Sequence, residues 1–142
     1  MKDFNNKIVV VTGAGSGMGR AYALEFAKLG AKLALMDFDA RGLAETVSLL
    51  PAAGADRVFS KVFDVSDRDA MYAFADEVSA TLGKAHVIVN NAGVEGSVKP
   101  VWATEDHAYE RIMRINFFGV VHGTRAFLPQ LKTRPEALLV NI

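Results

Sequence analysis

The residues with the clearest chemical potential form a glycine-rich segment directly after the apolar residues 8–11, namely Thr12-Gly13-Ala14-Gly15-Ser16-Gly17-Met18-Gly19. A buried strand that ends in a glycine turn and opens a helix can bind a dinucleotide pyrophosphate. Glycine permits close approach of the backbone, and the free N–H groups at the start of the helix attract negative charge. The spacing is T-G-x-x-x-G-x-G rather than G-x-G-x-x-G. Because a glycine loop alone is weak support, the interpretation depends on the residues that accompany it.

A carboxylate accompanies the loop at the end of the second apolar run. Asp37 follows Gly19 by eighteen residues, and a carboxylate there can accept hydrogen bonds from the adenosine ribose hydroxyls while repelling a 2′-phosphate. Neither Phe38, the next residue, nor Ser16 is basic, so NAD is favoured as the cofactor. Arg41 is the nearby cation that keeps NADP as the less favoured alternative. The alternative for Asp37 itself is that of an ordinary loop residue.

The elements that must position these residues alternate regularly along the chain. Apolar runs predict strands, and amphipathic stretches predict helices between them. This order favours right-handed βαβ units in a parallel sheet, and the near-continuous apolar strands indicate that both faces of the sheet are covered. We therefore predict an α/β fold with a doubly wound parallel sheet, Rossmann-like and three-layered (α/β/α). The predicted strands span 7–11, 32–36, 57–63, 86–89 and 137–142, and the predicted helices span 17–29, 40–50, 67–82 and 105–131.

Capping residues set the predicted helix ends. Asp39 is expected to cap the second helix, and Ser66 with Asp69 resembles a capping box for the third. Thr104 is the candidate cap of the long helix. Gly30 is expected just beyond the end of the first helix, where a left-handed conformation closes many helices.

Composition narrows the function classes. The 142 residues are enough for one domain, and 16 basic residues balance 16 acidic ones, which gives no basic surface for nucleic acid or for a membrane. The sequence contains no cysteine, so thiolate chemistry and cysteine metal sites are excluded. His86, His107 and His122 lack metal-ligand spacing. We expect a cytoplasmic protein that has no metal, nucleic-acid partner or membrane partner.

Three further motifs complete the pattern: Asp64-Val65, Asn90-Asn91-Ala92-Gly93 and Asn116. In this order, and together with the glycine segment, they resemble the short-chain dehydrogenase/reductase family over the whole chain. The resemblance implies that Asp37 holds the adenosine ribose, that Asp64 and Val65 border the adenine, and that the 91–93 segment passes under the ribose. It also implies that the pyrophosphate side is lined by Gly13, Ser16, Gly17, Met18 and Gly19.

Two asparagines have competing interpretations. Asn90 could contribute to the site, or its amide could tie neighbouring parallel strands together. By composition Asn116 would be a buried, hydrogen-bonded polar residue. The resemblance instead implies that Asn116 holds a water that relays protons to the catalytic lysine.

The resemblance also implies a reaction and an assembly. The family transfers hydride reversibly between NAD and a secondary alcohol or ketone, and its long helix commonly packs against its twin, so a homodimer or homotetramer is expected. On that helix the expected core and subunit contacts are Ile112, Ile115, Val120, Phe127 and Leu128. Residues 94–96 are expected to border the substrate.

The family's catalytic serine and Tyr-x-x-x-Lys pair do not occur in this sequence. Tyr22, Tyr72 and Tyr109 are the tyrosines, and no lysine stands four residues after any of them. We therefore expect residues 1–142 to form an incomplete, cofactor-binding half, truncated after the fifth strand and inactive by itself. The fifth strand would then form an open edge.

Two rival functions remain at this stage. One is a non-catalytic module that ends at residue 142 and binds NAD or dimerises through the long helix. The other is a methyltransferase-like or nucleotide-sugar domain. The second rival gives no reason for Asn90-Asn91-Ala92-Gly93 or for Asn116.

Overall fold

A single parallel sheet forms the centre of the computed structural model, which describes residues 1–51, 57–96 and 98–142. The strand order is β3-β2-β1-β4-β5, and every neighbouring pair is parallel. The order reverses between β1 and β4, and in such sheets ligands bind beyond the carboxyl ends of the strands at that point. The predicted fold class is confirmed. The strands are β1 (Ile8–Thr12), β2 (Lys32–Asp37), β3 (Val58–Val62), β4 (Val87–Asn90) and β5 (Leu138–Asn141).

The helices cover both faces of the sheet because the buried strands are apolar on both sides. Val9 and Val11 pack with Ala23 and Leu43, whereas Val10 faces the opposite way and packs with Phe74 and Phe127. Successive side chains of a strand point to opposite faces, so one apolar run supplies two cores. The helices are α1 (Gly17–Lys28) and α2 (Ala40–Leu49) on one face, α3 (Arg68–Thr81) and α5 (Gly119–Leu131) on the other, and the short α4 (Asp106–Ile112).

The two outer strands are less covered than the three central ones. β5 pairs with β4 alone among the described strands, and Leu138 and Leu139 are 37% and 38% exposed. The expected open edge therefore lies at β5. No helix in the described part of the chain is long and apolar enough to cross a membrane.

The long helix predicted over 105–131 is confirmed over 106–131, but it is not α-helical throughout. α4 is followed by a π-helical turn, Met113–Phe118, before α5 begins. The cap predicted at Thr104 is also wrong: Glu105 is the residue before the helix, and the Thr104 hydroxyl donates back to the Pro100 carbonyl at 3.0 Å. A 3₁₀ turn, Val101–Ala103, lies directly before this end of the helix.

The cap of α3 is shifted by one residue from the prediction. Asp67, not Ser66, accepts a hydrogen bond from the Ala70 N–H at 3.0 Å. The Ser66 N–H is held by Asp64 Oδ1 at 2.8 Å, because Asp64 forms its own turn ahead of the helix. The cap at Asp39 is confirmed, since its carboxylate accepts from the Arg41 N–H at 3.0 Å.

Candidate cofactor site

An open cavity of about 580 Å³ lies at the carboxyl ends of the strands, between the glycine segment and the start of the π-helical turn. The predicted cofactor residues line it, except Gly19. The described lining residues are Gly13, Gly15, Ser16, Gly17, Met18, Met36, Asp37, Phe38, Asp39, Phe63, Asp64, Val65, Asn91, Ala92, Gly93, Val94, Arg111 and Ile115.

The turn after β1 requires glycine for two different reasons. Gly13 has φ +67°, and a Cβ there would lie 2.8 Å from the Ala92 Cα. Gly17 has φ +51° but faces open space, so its requirement is conformational. The first position lets the segments that follow β1 and β4 approach each other, and the second shapes the wall of the cavity.

Gly19 lies beneath the loop rather than in the cavity. A Cβ on Gly19 would sit 1.9 Å from the Gly13 carbonyl oxygen, so the first turn of α1 packs directly on the loop. Ser16, the residue before α1, makes no side-chain capping bond. Since the first N–H groups of a helix have no intrahelical partner, those of α1 can bind an anion at the cavity wall.

Asp37 is fixed at the end of β2 by two backbone donors. Its Oδ2 accepts from the Gly15 N–H at 2.7 Å, and its Oδ1 accepts from the Asp39 N–H at 2.9 Å. The residue is only 8% exposed, yet it lines the cavity. Each oxygen can accept a further bond, so the oriented carboxylate can receive the two hydroxyls of a ribose.

Thr12 organises the opposite wall, a role that the sequence interpretation missed. Its hydroxyl accepts from the N–H groups of Asn91 and Ala92 at 2.9 and 3.0 Å. The Asn91 amide in turn donates to the Thr12 carbonyl at 3.0 Å. The signal was present in the motif, because Thr12 precedes Gly13 at the end of a buried strand and a hydroxyl there needs partners.

Asn90 ties strands together instead of lining the cavity. Its Nδ2 donates to Asn141 Oδ1 at 2.9 Å and contacts Thr124 Oγ1 at 3.2 Å. A Cβ at Gly123 would lie 2.2 Å from Asn90 Oδ1, so the absence of a side chain there makes room for the amide. This arrangement corresponds to the structural alternative for Asn90.

Asn116 lies in the π-helical turn and is exposed, not buried. Its Oδ1 accepts from the Val94 N–H at 2.8 Å, and its Nδ2 donates to the Val94 carbonyl at 2.9 Å. Asn116 thereby holds the segment that follows Gly93, but it does not line the cavity. Its role in a proton relay stays a prediction.

An apolar slot borders the remaining side of the cavity. Phe63, Val65 and Ile115 line it. Val65 packs against α5, where a Cβ on Gly119 would lie 2.7 Å from Val65 Cγ2. The His122 ring is 3.1 Å from the Val65 carbonyl, a contact in which Nδ1–H donates. Such a slot suits a flat aromatic ring.

Charge in the cavity is mainly negative. Asp37, Asp39 and Asp64 are the acidic lining residues, and Arg111 is the basic one among those described. The described part of the chain contains no group of three or more side chains that could hold a metal ion. Of the residues that line the cavity, sequence reasoning did not single out Met36, Phe63 or Arg111, because no motif marks them.

Comparison with known proteins places this geometry in a family. The short chain dehydrogenase family profile matches residues 7–142. The chain belongs to the short-chain dehydrogenase family. It is 46% identical over 144 residues to a Mycobacterium tuberculosis protein named "Putative oxidoreductase SadH", an alignment that covers 100% of this chain and 51% of that protein. The chain thus spans about half the length of the curated relatives it matches.

Solved structures of other short-chain dehydrogenases share the fold. A Burkholderia phymatum short chain dehydrogenase/reductase in complex with NAD has 42% identity and a TM-score of 0.92, over 99% of this chain and 50% of that one. An NADPH-bound short chain oxidoreductase from Pseudomonas aeruginosa, described as containing an atypical catalytic center, has 38% identity and a TM-score of 0.88. That match covers 96% of this chain and 53% of the other. Both cofactors therefore occur among similar proteins.

Proposed function

We propose that this chain supplies the NAD-binding portion of a dehydrogenase that transfers hydride reversibly between NAD and a secondary alcohol or ketone. The observation that carries the proposal is the carboxylate of Asp37, fixed by Gly15 and Asp39 at the edge of the cavity. A carboxylate in this position favours ribose hydroxyls over a 2′-phosphate. NADP, the alternative, would require a cation there.

The residues of the cavity fit such a cofactor. The N–H groups at the start of α1 would receive the pyrophosphate, and Asp37 would hold the adenosine ribose. Asp64 and Val65 would border the adenine, and residues 91–93 would pass under a ribose. When bound, the cofactor supplies a nicotinamide that accepts or gives a hydride. The chain's own contribution is to position it.

The positions of Arg41 and Arg111 support NAD rather than NADP. Arg41, the cation that would favour NADP, is exposed and is not among the described lining residues. Arg111 lines the cavity from the end of α4, on the same helix as the π-helical turn, and not from the loop after β2. No described cation therefore lines the cavity next to Asp37.

The decisive experiment measures the binding of NAD⁺ and of NADP⁺ to the protein by calorimetric titration. The unmodified protein is expected to bind NAD⁺ more tightly. Asp37→Ala should weaken NAD⁺ binding by about tenfold or more, as expected for loss of charge-assisted hydrogen bonds, and should narrow the difference between the cofactors. Asp76→Ala, an exposed carboxylate on α3, is the matched control. Tighter binding of NADP⁺ by the unmodified protein would overturn the preference.

A homodimer or homotetramer is the assembly we propose for the protein, on a separate observation. Met113, Phe117 and Phe118 of the π-helical turn are 50%, 53% and 47% exposed. Exposed aromatic side chains that lie together mark association surfaces. Sedimentation velocity of the protein and of Phe118→Glu tests this, since a monomer in both samples would contradict it.

A further inference from the structure

Arg20 connects the glycine loop to α2 from below the cavity. Its Nη2 donates to the Gly15 carbonyl at 2.6 Å and to Glu45 Oε2 at 2.9 Å, and its Nε donates to Thr46 Oγ1 at 3.0 Å. The Arg20 side chain is 24% exposed, and it is not among the residues that line the cavity. Arg20 therefore acts on the backbone of the loop and not on anything inside the cavity.

Gly15 is held at both of its backbone groups. Its carbonyl accepts from Arg20, and its N–H donates to Asp37 Oδ2 at 2.7 Å. A Cβ on Gly15 would lie 2.9 Å from the Asp37 carboxylate carbon, so the two residues are in close contact. A displacement of Gly15 would consequently change the orientation of the Asp37 carboxylate.

Thr46 attaches the residue before Gly15, Ala14, to α2. Its hydroxyl, which is fully buried, donates to the Ala14 carbonyl at 2.8 Å while accepting from Arg20 Nε. Bonds to a charged donor are stronger than neutral ones, and a planar guanidinium can serve three acceptors at once. The Ala14–Gly15 pair is thus anchored to α2 through Arg20 and Thr46.

We propose that Arg20 is a positioning residue for recognition of the adenosine ribose, acting through Gly15 on Asp37. By fixing Gly15, Arg20 holds the Asp37 carboxylate in the orientation that receives the ribose hydroxyls. Glu45 and the Gly15 carbonyl already bind the Arg20 guanidinium, so this cation does not bind the 2′-phosphate of NADP. The proposal rests on the proposed binding of NAD and assigns its selectivity to a residue outside the cavity.

A double-mutant cycle on NAD⁺ binding tests this inference. Arg20→Gln is expected to raise the Kd for NAD⁺ by about tenfold and the Kd for NADP⁺ by less, because the charge-assisted bond to Gly15 is lost. In the Asp37→Ala background the same substitution should change the Kd for NAD⁺ by no more than about twofold, since Arg20 then has no carboxylate to position. A purely structural role would weaken both cofactors equally in both backgrounds.

Two further variants keep the test decisive. Arg20→Lys retains the charge, but an ammonium cannot reproduce the planar fork, so the Kd for NAD⁺ should lie between those of the unmodified protein and Arg20→Gln. Lys28→Gln removes the exposed ion pair with Glu25 on the same helix and should leave both Kd values unchanged. Circular dichroism melts verify that each variant is folded.

The outcomes separate the two proposals. If the unmodified protein does not bind NAD⁺, the proposed function and this inference both fail. If the unmodified protein and Asp37→Ala behave as expected but Arg20→Gln has no effect, or has the same effect in both backgrounds, only the role of Arg20 is overturned. A loss of selectivity that depends on Asp37 supports it.

Discussion

The side-chain amide of Asn116 and the backbone of Val94 are joined by two hydrogen bonds, at 2.8 Å to Oδ1 and 2.9 Å from Nδ2. The pairing resembles a rung of a β-ladder, but it connects a π-helical turn to the segment after β4. π-Turns are rare and frequently lie at functional sites. Here the turn supplies the residue that fixes one margin of the cofactor cavity.

Replacing Asn116 should loosen that margin. Asn116→Ala removes both bonds to Val94, and because the pair is exposed to water the loss of unfolding free energy should be only about 1 kcal/mol. The local effect should be larger, with faster hydrogen exchange at the Val94 amide. Arg114→Ala, an exposed residue in the same turn, is the control. Unchanged exchange at Val94 in Asn116→Ala would show that other contacts hold the segment.

Two glycines of the loop should differ in how they respond to alanine. Gly19→Ala places a Cβ 1.9 Å from the Gly13 carbonyl oxygen, so the backbone must move, at a cost of about 3 kcal/mol or more. Gly17→Ala meets open space, and only its φ of +51° is unfavourable, at a cost of about 1–2 kcal/mol. Urea unfolding compares them, and an equal loss in both variants would contradict the steric argument.

Residue patterns in the sequence predicted the strands and the glycine loop. They did not predict features that depend on contacts between residues distant in the sequence. Apolar runs identified the five strands that the structure describes, and the loop after β1 with Asp37 indicated the cavity, because both follow from local spacing. Asp67 displaced Ser66 as a cap because two adjacent residues could each serve, and only the turn at Asp64 decides between them. The π-helical turn and the bonds of Arg20 depend on contacts between distant residues, which periodicity does not encode.

His86 should make stability depend on pH below neutrality. Its Nδ1 accepts from the Ile8 N–H at 3.1 Å, which requires the neutral ring. Burial lowers the pKa of His86, and the nearby charges of Arg134 and Lys7 lower it further. The unfolded chain therefore binds the proton more readily than the folded protein does. The free energy of unfolding has its full contribution from neutral His86 above about pH 6.5, and this contribution is lost as the pH falls through the lower pKa of the folded state.

Urea unfolding at pH 7.5, 6.5 and 5.5 measures this dependence on His86. His86→Gln should reduce the loss of stability between these pH values, whereas His107→Gln, a change at an exposed histidine on α4, should retain it. A loss that is identical in the unmodified protein and in His86→Gln would assign the effect to other groups.

Thr12 should couple the stability of the fold to the affinity for the cofactor. Thr12→Val keeps the shape but removes the acceptor of the Asn91 and Ala92 N–H groups, and part-buried donors without partners should cost about 2–3 kcal/mol. Thr12→Ser keeps the hydroxyl and should lose less than about 1 kcal/mol, mainly through one methyl group. Because residues 91–93 line the cavity, Thr12→Val should also weaken NAD⁺ binding where Thr12→Ser does not. Urea unfolding and calorimetric titration measure the two effects, and equal behaviour of Val and Ser at this position would exclude the hydroxyl as their source.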